Sequence, residues 1–331
     1  MDKNKNLDFV AIGDITTDAF IRLSDASVHC EINRDKCQIC MSFKDKVPYE
    51  FVKVVPAVGN SANAAVAAAR LGLSSALVSN IGNDQNGKDC LRIIETEGVL
   101  SSFIKVNEGL NSNYHFVLWY ESDRTILVKH EDFAYELPNI GESKWIYLSS
   151  LGEKSLPFHN SLAAYLDNHK ETNLAFQPGT YQIKFGKERL SDIYKRTKVF
   201  ISNKEEAQRI LESKEENVLE LSKELHKIGP KIVVITDGPE GAYMLYEDAL
   251  WFIPQYPDEK PPYDRTGAGD AFSSTFVAAL ALGKTPVEAL RYGPVNSMSV
   301  VQYIGAQEGL LSLQRIEELL SEMPDYKAKK I

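Results

Sequence analysis

A three-layer α/β fold, with a doubly wound and mostly parallel sheet between helices and a small β-sheet lid at one end, follows from three features of the sequence. The 331 residues are 44% hydrophobic and 25% charged, the balance of an ordinary globular protein with a large core. Short β-branched apolar runs alternate with Gly or polar turns and segments of helical period, as in parallel strands buried on both faces. Two strand-rich stretches, about 21–55 and 113–129, interrupt that rhythm without a helical signal.

Taken in order, Phe9-Val10-Ala11-Ile12 reads as the first strand and ends on Gly13. The stretch 21–55 holds strand-like pieces around a polar turn at Asn33-Arg34-Asp35-Lys36. Ala76-Leu-Val-Ser-Asn-Ile81 precedes a helical segment over 87–97, and Trp145-Ile-Tyr-Leu-Ser149 precedes another over 156–168. Between them, Tyr114-His-Phe-Val-Leu-Trp-Tyr120 and Thr125-Ile-Leu-Val128 flank a Glu121-Ser-Asp-Arg124 turn and predict a hairpin. Val199-Phe-Ile-Ser202 and Lys231-Ile-Val-Val-Ile-Thr236 continue the sheet. The chain reads as one domain, 1–331, with the lid as insertions and only the tail 327–331 frayed.

Composition excludes several classes. A net charge of −9 with no basic block disfavours nucleic-acid and anionic-membrane partners. No run of 18 apolar residues exists. The polar start, Met1 to Asp8, lacks the apolar core of a signal peptide, so a cytoplasmic location with reduced cysteines is expected.

Two junctions carry the chemistry. Asp264-Arg-Thr-Gly-Ala-Gly-Asp270 runs into a long apolar helical segment, where small residues leave amide groups open and the helix dipole favours an anion. Asp270 then reads either as a capping carboxylate or as a base beside an anion cradle. Val58-Gly59-Asn-Ser-Ala-Asn63 precedes a nearly all-Ala helix and leaves Asn60 and Asn63 at its open end, again as caps or as site residues. Asn203 is a plausible cap after its strand, and Thr236-Asp-Gly-Pro-Glu-Gly241 is explicable as a hairpin turn. Gly283-Lys-Thr285 is no P-loop, because Ala278 stands where the first Gly belongs, and no G-x-G-x-x-G follows the first strand.

Together these junctions resemble the PfkB carbohydrate kinase family, also called the ribokinase family, from about residue 8 to 311. The residues concerned are Asp264-x-Thr-Gly-Ala-Gly-Asp-Ala-Phe272, Gly59-x3-Asn63-x-Ala65 with Ala69-Arg-Leu-Gly72, Asn203-x2-Glu206 and Thr236-x-Gly-x2-Gly241. The resemblance implies an ATP-dependent phosphotransferase acting on a hydroxymethyl group of a sugar. It implies Asp270 as catalytic base and the amides of Gly267, Ala268 and Gly269 as the anion hole. Asn203 and Glu206 would organise Mg²⁺ through its waters, and Thr236, Gly238 and Gly241 would line the nucleotide site. Asp18, with Gly59, Asn60 and Asn63, would hold the substrate, and Asp264 with Thr266 would form a monovalent cation (K⁺) site. The sequence departs from the family at Val58-Gly59, where Gly-Gly is usual, at Pro294 near the expected adenine, and at Gln177-Pro-Gly-Thr180, where many sugar kinases carry Asp-Pro-Asn.

Cys37-x2-Cys40 has zinc half-site spacing, and Cys30 with His29 completes a countable four-ligand set, although packing or incidental thiols explain the group more simply. A sugar kinase is the leading reading; a nucleoside kinase is the rival within the enzyme class. A non-catalytic nucleotide or sugar sensor is disfavoured by the intact Gly267-Ala-Gly-Asp270. Strand edges on the lid suggest a homodimer.

Overall fold

A computed structural model describes residues 7–30, 37–121, 123–258 and 260–331. The turn expected at Asn33-Arg34-Asp35-Lys36 lies outside them, as does Ser122 of the second hairpin turn.

The central sheet has ten strands. Seven are parallel, in the spatial order Ile104–Asn107, Ser75–Gly82, Leu7–Ile12, Ser143–Leu148, Asn173–Phe176, Thr197–Asn203 and Ile232–Thr236. Three antiparallel strands extend it: Ala242–Tyr246, Ala249–Ile253 and Lys329–Lys330. The last corrects the reading of the tail as frayed: Lys329 and Lys330 pair with Phe252 and Trp251, and Ile331 donates its amide to Leu250. A charged tail ladders here because the edge of Ala249–Ile253 offers unpaired backbone groups, which need no apolar side chains in their partner.

Alternate side chains of each parallel strand enter two cores, which is why the strands read as unbroken apolar runs. Phe9, Ala11, Tyr147 and Ile201 face one side, where the helices Asn60–Arg70 and Ala268–Ala281 lie. Val10, Ile12, Ile146 and Phe200 face the other, under Leu156–Asn168 and Val218–Lys227. The Ala-rich sequence of Asn60–Arg70 buries everything from Ser61 to Ala68, and such small side chains let the helix lie close to Ala268–Ala281. Its last turn is tied down by Arg70, which makes a two-pronged pair with Glu97 at 2.8 Å and reaches the carbonyls of Gln307 and Leu310. Among the described residues no helix is long and apolar enough to cross a membrane.

Above one end of the sheet stands the lid, four strands in the order Tyr49–Val58, Thr16–Leu23, Asn113–Tyr120 and Asp123–Leu127. It begins earlier than the expected residue 21, so Asp18 belongs to a lid strand. Strand Leu7–Ile12 is where the sheet order reverses, its neighbours being Ser75–Gly82 and Ser143–Leu148. In open α/β sheets a ligand crevice forms at the carboxyl ends of such strands. Here that crevice lies between sheet and lid.

A separate ribbon pairs Ser27–Cys30 with Cys37–Cys40. Its register sets Cys30 opposite Cys37, and the two form a disulfide. The zinc set of Cys30, Cys37 and Cys40 and the expectation of reduced thiols are corrected accordingly, since a disulfide sulfur is not the thiolate that zinc needs. Cys40 remains a free thiol opposite Ser27, and His29 contacts Ser27 instead of a metal set.

Candidate active site

The helix Ala268–Ala281 starts on Gly267, whose φ of +78° is left-handed and whose missing Cβ would lie 2.2 Å from that of Ala306. Only glycine fits there. The tight entry leaves the first-turn amides facing the crevice: the amides of Gly267 and Gly269 have no hydrogen-bond partner among the described residues, and that of Ala268 has only a 3.4 Å contact to the carbonyl of Arg265. Free N–H groups at a helix start form an anion cradle.

Asp270 is three residues into this helix and does not cap it; Gly267 is the cap, and no side chain hydrogen-bonds there. Its carboxylate points into the crevice and accepts from Asn60 Nδ2 at 2.8 Å, Asn63 Nδ2 at 2.8 Å and Gln177 Nε2 at 3.2 Å. The capping readings of Asp270, Asn60 and Asn63 are corrected by the same contacts. A carboxylate has about four lone-pair positions, so one is left for an incoming hydroxyl. Burial pushes the Asp270 pKa up, partly offset by those three donors, and the nearby Asp18 pushes it further up.

The supports of Asp270 are themselves fixed. Gln307 donates to Asn63 Oδ1 at 3.0 Å and to the Ala57 carbonyl at 2.7 Å, which turns the amide of Asn63 toward Asp270. Tyr147 donates its hydroxyl to Gln177 Oε1. Gly59, with φ of +107°, begins the helix Asn60–Arg70 against the carbonyl of Asp14, 2.7 Å from where a Cβ would sit. Gln177 stands out in the sequence as a departure from Asp-Pro-Asn; Tyr147 and Gln307 carried no local signal.

On the far side of the cradle is a cavity of about 330 Å³. It brings together Thr236, Gly238 and Gly241 from the hairpin turn, Ala268 and Gly269 from the cradle, and Pro294, with Pro254, Phe272 and Val301 as apolar walls. The hairpin turn is real, with Ile232–Thr236 pairing antiparallel to Ala242–Tyr246, and it is also a wall of the cavity. A nucleotide base fits this kind of space: apolar, with an amide cradle at one end for phosphates.

Asn203 caps the helix Lys204–Leu211 in a reciprocal box with Glu206, through contacts of 3.0 and 2.8 Å. They do not line the cavity. Burial raises the Glu206 pKa, and the charge of Asp270 adds to the rise, which places this carboxyl within the field of the Asp270 carboxylate. No group of three or more His, Cys, Asp or Glu among the described residues could hold a metal by itself.

Asp264 is buried and accepts from the Thr266 amide at 2.9 Å, the Thr266 hydroxyl at 2.6 Å and the Gly305 amide at 2.9 Å, with the Arg124 guanidinium 3.9 Å away. Asp18 faces the crevice from the lid, 3.3 Å from Nδ1 of His115.

A buried carboxylate at a helix start, an open amide cradle and an apolar cavity joined to it are an arrangement suited to phosphoryl transfer, where positioning and charge stabilisation do most of the work. Residues 38–313 match the pfkB family of carbohydrate kinases, and the chain belongs to that family. It is thus a phosphotransferase with a sugar alcohol as acceptor class. The ribokinase of Bacillus subtilis is 28% identical over 271 residues, covering 80% of this chain and 87% of that one. The ATP-dependent 6-phosphofructokinase of Thermoanaerobacterium thermosaccharolyticum is 24% identical, covering 79% and 84%. The solved nucleoside kinase of Methanocaldococcus jannaschii, a ribokinase-family member, has the same fold, with a TM-score of 0.76, 17% identity and coverage of 95% and 98%.

Proposed function

We propose that this enzyme transfers the γ-phosphate of ATP to a hydroxymethyl group of a free sugar, with Asp270 as the base. The observation that carries the reading is the position of Asp270: its carboxylate has one unfilled acceptor position, beside the open amides of Gly267 and Gly269. A sugar hydroxyl bound there gives its proton to Asp270 as its oxygen closes on the phosphoryl group, while the cradle amides stabilise charge on the equatorial oxygens. The raised pKa of Asp270 makes it a stronger acceptor than an exposed aspartate. Asp18, Gly59, Asn60 and Asn63 form the acceptor side, and Thr236, Gly238 and Gly241 the nucleotide side.

Mg²⁺, when bound, neutralises the phosphates. With no carboxylate cage among the described residues, phosphate oxygens and waters would hold it, with Glu206 and Asn203 orienting those waters. A monovalent cation at Asp264 and Thr266 belongs to the same reading: Asp264 accepts three hydrogen bonds, which leaves about one acceptor position.

The outer face of the lid supports a homodimer. Val52 (44% exposed), Val54 (52%), Phe116 (44%) and Leu127 (52%) form an apolar row there, and the same row on a second copy is the self-complementary surface that a twofold interface needs.

An acceptor panel of pentoses, hexoses and nucleosides, read as acceptor-dependent ADP release, tests the reading. Turnover of a bare sugar supports it; a requirement for the nucleobase gives the nucleoside alternative; nucleotide binding without turnover of any acceptor overturns it.

A further inference from the structure

We infer that His115 and His130 determine acceptor specificity, and that the acceptor they select is an uncharged polyol of sugar size, not a sugar phosphate or sugar acid. The inference rests on the kinase reading above.

The lid register places Asp18 beside His115 on the face turned to the crevice. Nδ1 of His115 is 3.3 Å from Asp18 Oδ1, yet the two are not hydrogen-bonded. His130 repeats the arrangement, with Nδ1 3.2 Å from Asp14 Oδ2. The two imidazoles meet edge to face at 5.4 Å, and Tyr181 closes on His130 at 6.0 Å. Asp14 is held from behind: the hydroxyl of Tyr135 lies 2.9 and 3.0 Å from its two oxygens and accepts from the amide of Gly152.

Three buried polar atoms of this cluster have no hydrogen-bond partner among the described residues: Asp18 Oδ1, His115 Nε2 and His130 Nδ1. Buried polar groups are rarely left unsatisfied, and those that are point to something that enters. A carboxylate only accepts, whereas a neutral imidazole donates at one nitrogen and accepts at the other. Neighbouring hydroxyls, each a donor and an acceptor, answer that mixed set.

Charge sets the rest of the selection. Asp14, Asp18 and Asp270 line one crevice, and none of them pairs with a lysine or arginine among the described residues. The lid cations are engaged elsewhere: Arg22 lies over Trp119 and donates to the Glu121 carbonyl, Lys53 pairs with Glu308, and Arg124 faces Asp264. An acceptor bringing a phosphate or carboxylate to this end would set like charges together in a poorly solvated space, and that repulsion works as discrimination.

The test compares matched acceptors on the wild-type enzyme: fructose with fructose 6-phosphate, glucose with glucose 1-phosphate, and glucose with gluconate. In each pair the uncharged member should give at least about tenfold higher kcat/KM. His115→Phe and His130→Phe, each checked for folding by circular dichroism, should raise acceptor KM about tenfold or more with ATP KM unchanged, and His115→Gln should recover part of the loss. Preference for the anionic member, or an unchanged acceptor KM in both Phe variants, overturns this inference while leaving the kinase reading intact. Nucleotide binding with no turnover of any acceptor overturns both.

Discussion

Asn63 and Asp270 lie 207 positions apart in the chain and meet at 2.8 Å, Nδ2 to Oδ2, where their two helices start side by side. The amide of Asn63 can point only one way, because Gln307 holds its oxygen. The Asp270 carboxylate is therefore oriented by a helix of mostly small residues that supplies two donors to it, Asn60 and Asn63.

Asp270→Asn removes proton acceptance and keeps the shape. kcat should fall by about 10²–10⁴-fold while nucleotide affinity, measured by titration calorimetry, stays within about twofold. Stability should move the other way. The folded pKa of Asp270 is raised, so wild-type stability falls as pH rises from the ordinary aspartate range through that raised value. The Asn variant escapes this loss, and its Tm advantage should be absent in strong acid and full at neutral pH.

Asp18→Ala strips a charged acceptor from the crevice. A hydrogen bond to a charged group is worth about 1.5–3 kcal/mol, so acceptor KM should rise by about one to two powers of ten. ATP KM should hold. Equal defects toward both substrates in steady-state kinetics would remove Asp18 from the acceptor pocket.

Gly267→Ala puts a Cβ 2.2 Å from that of Ala306 at a left-handed φ of +78°. Strain of this kind costs about 1–3 kcal/mol. Urea unfolding should show that loss, and kcat should drop with it because the cradle amides shift. A variant of wild-type stability and rate would mean that the turn adapts freely.

Phe116→Glu combined with Leu127→Asp places two charges on the apolar row of the lid, where the paired register sets these residues side by side. Light scattering should show a dimer for the wild type and a monomer for the variant. A monomeric wild type at micromolar concentration would discard the dimer.

His159 is buried, with Nδ1 2.7 Å from the Ser155 carbonyl, and burial lowers its pKa from 6.5 to about 4. The unfolded chain takes up this proton first, so the associated stability is full above pH 6.5 and is lost as pH falls toward about 4. The loss amounts to about 3 kcal/mol. Denaturation free energies across that window should fall steeply for the wild type and less so for His159→Gln.

The strand runs, the Gly-to-helix junctions and Asp270 were all legible in the sequence because they are local. A β-branched run or a glycine before a helix carries its reason within a few residues. What escaped were contacts whose partners are remote: Tyr147 and Gln307 look like ordinary strand and loop residues until folding sets one against Gln177 and the other against Asn63. The same holds for the tail, whose lysines pair through backbone groups that side-chain patterns do not report. The Cys30–Cys37 disulfide escaped for a related reason, since spacing along the chain counts thiols but only the strand register shows that Cys30 faces Cys37.

The sequence by itself determined the three-layer architecture and the Gly-to-helix junction that carries Asp270, because hydrophobic period, glycine and helix starts act over short range. Only the tertiary structure decided what surrounds Asp270. The lid strand that carries Asp18 pairs with one arriving nearly a hundred residues later, bringing His115 beside it. Side chains that distant share a pocket through sheet register and helix packing, and neither is written in any local stretch of the chain.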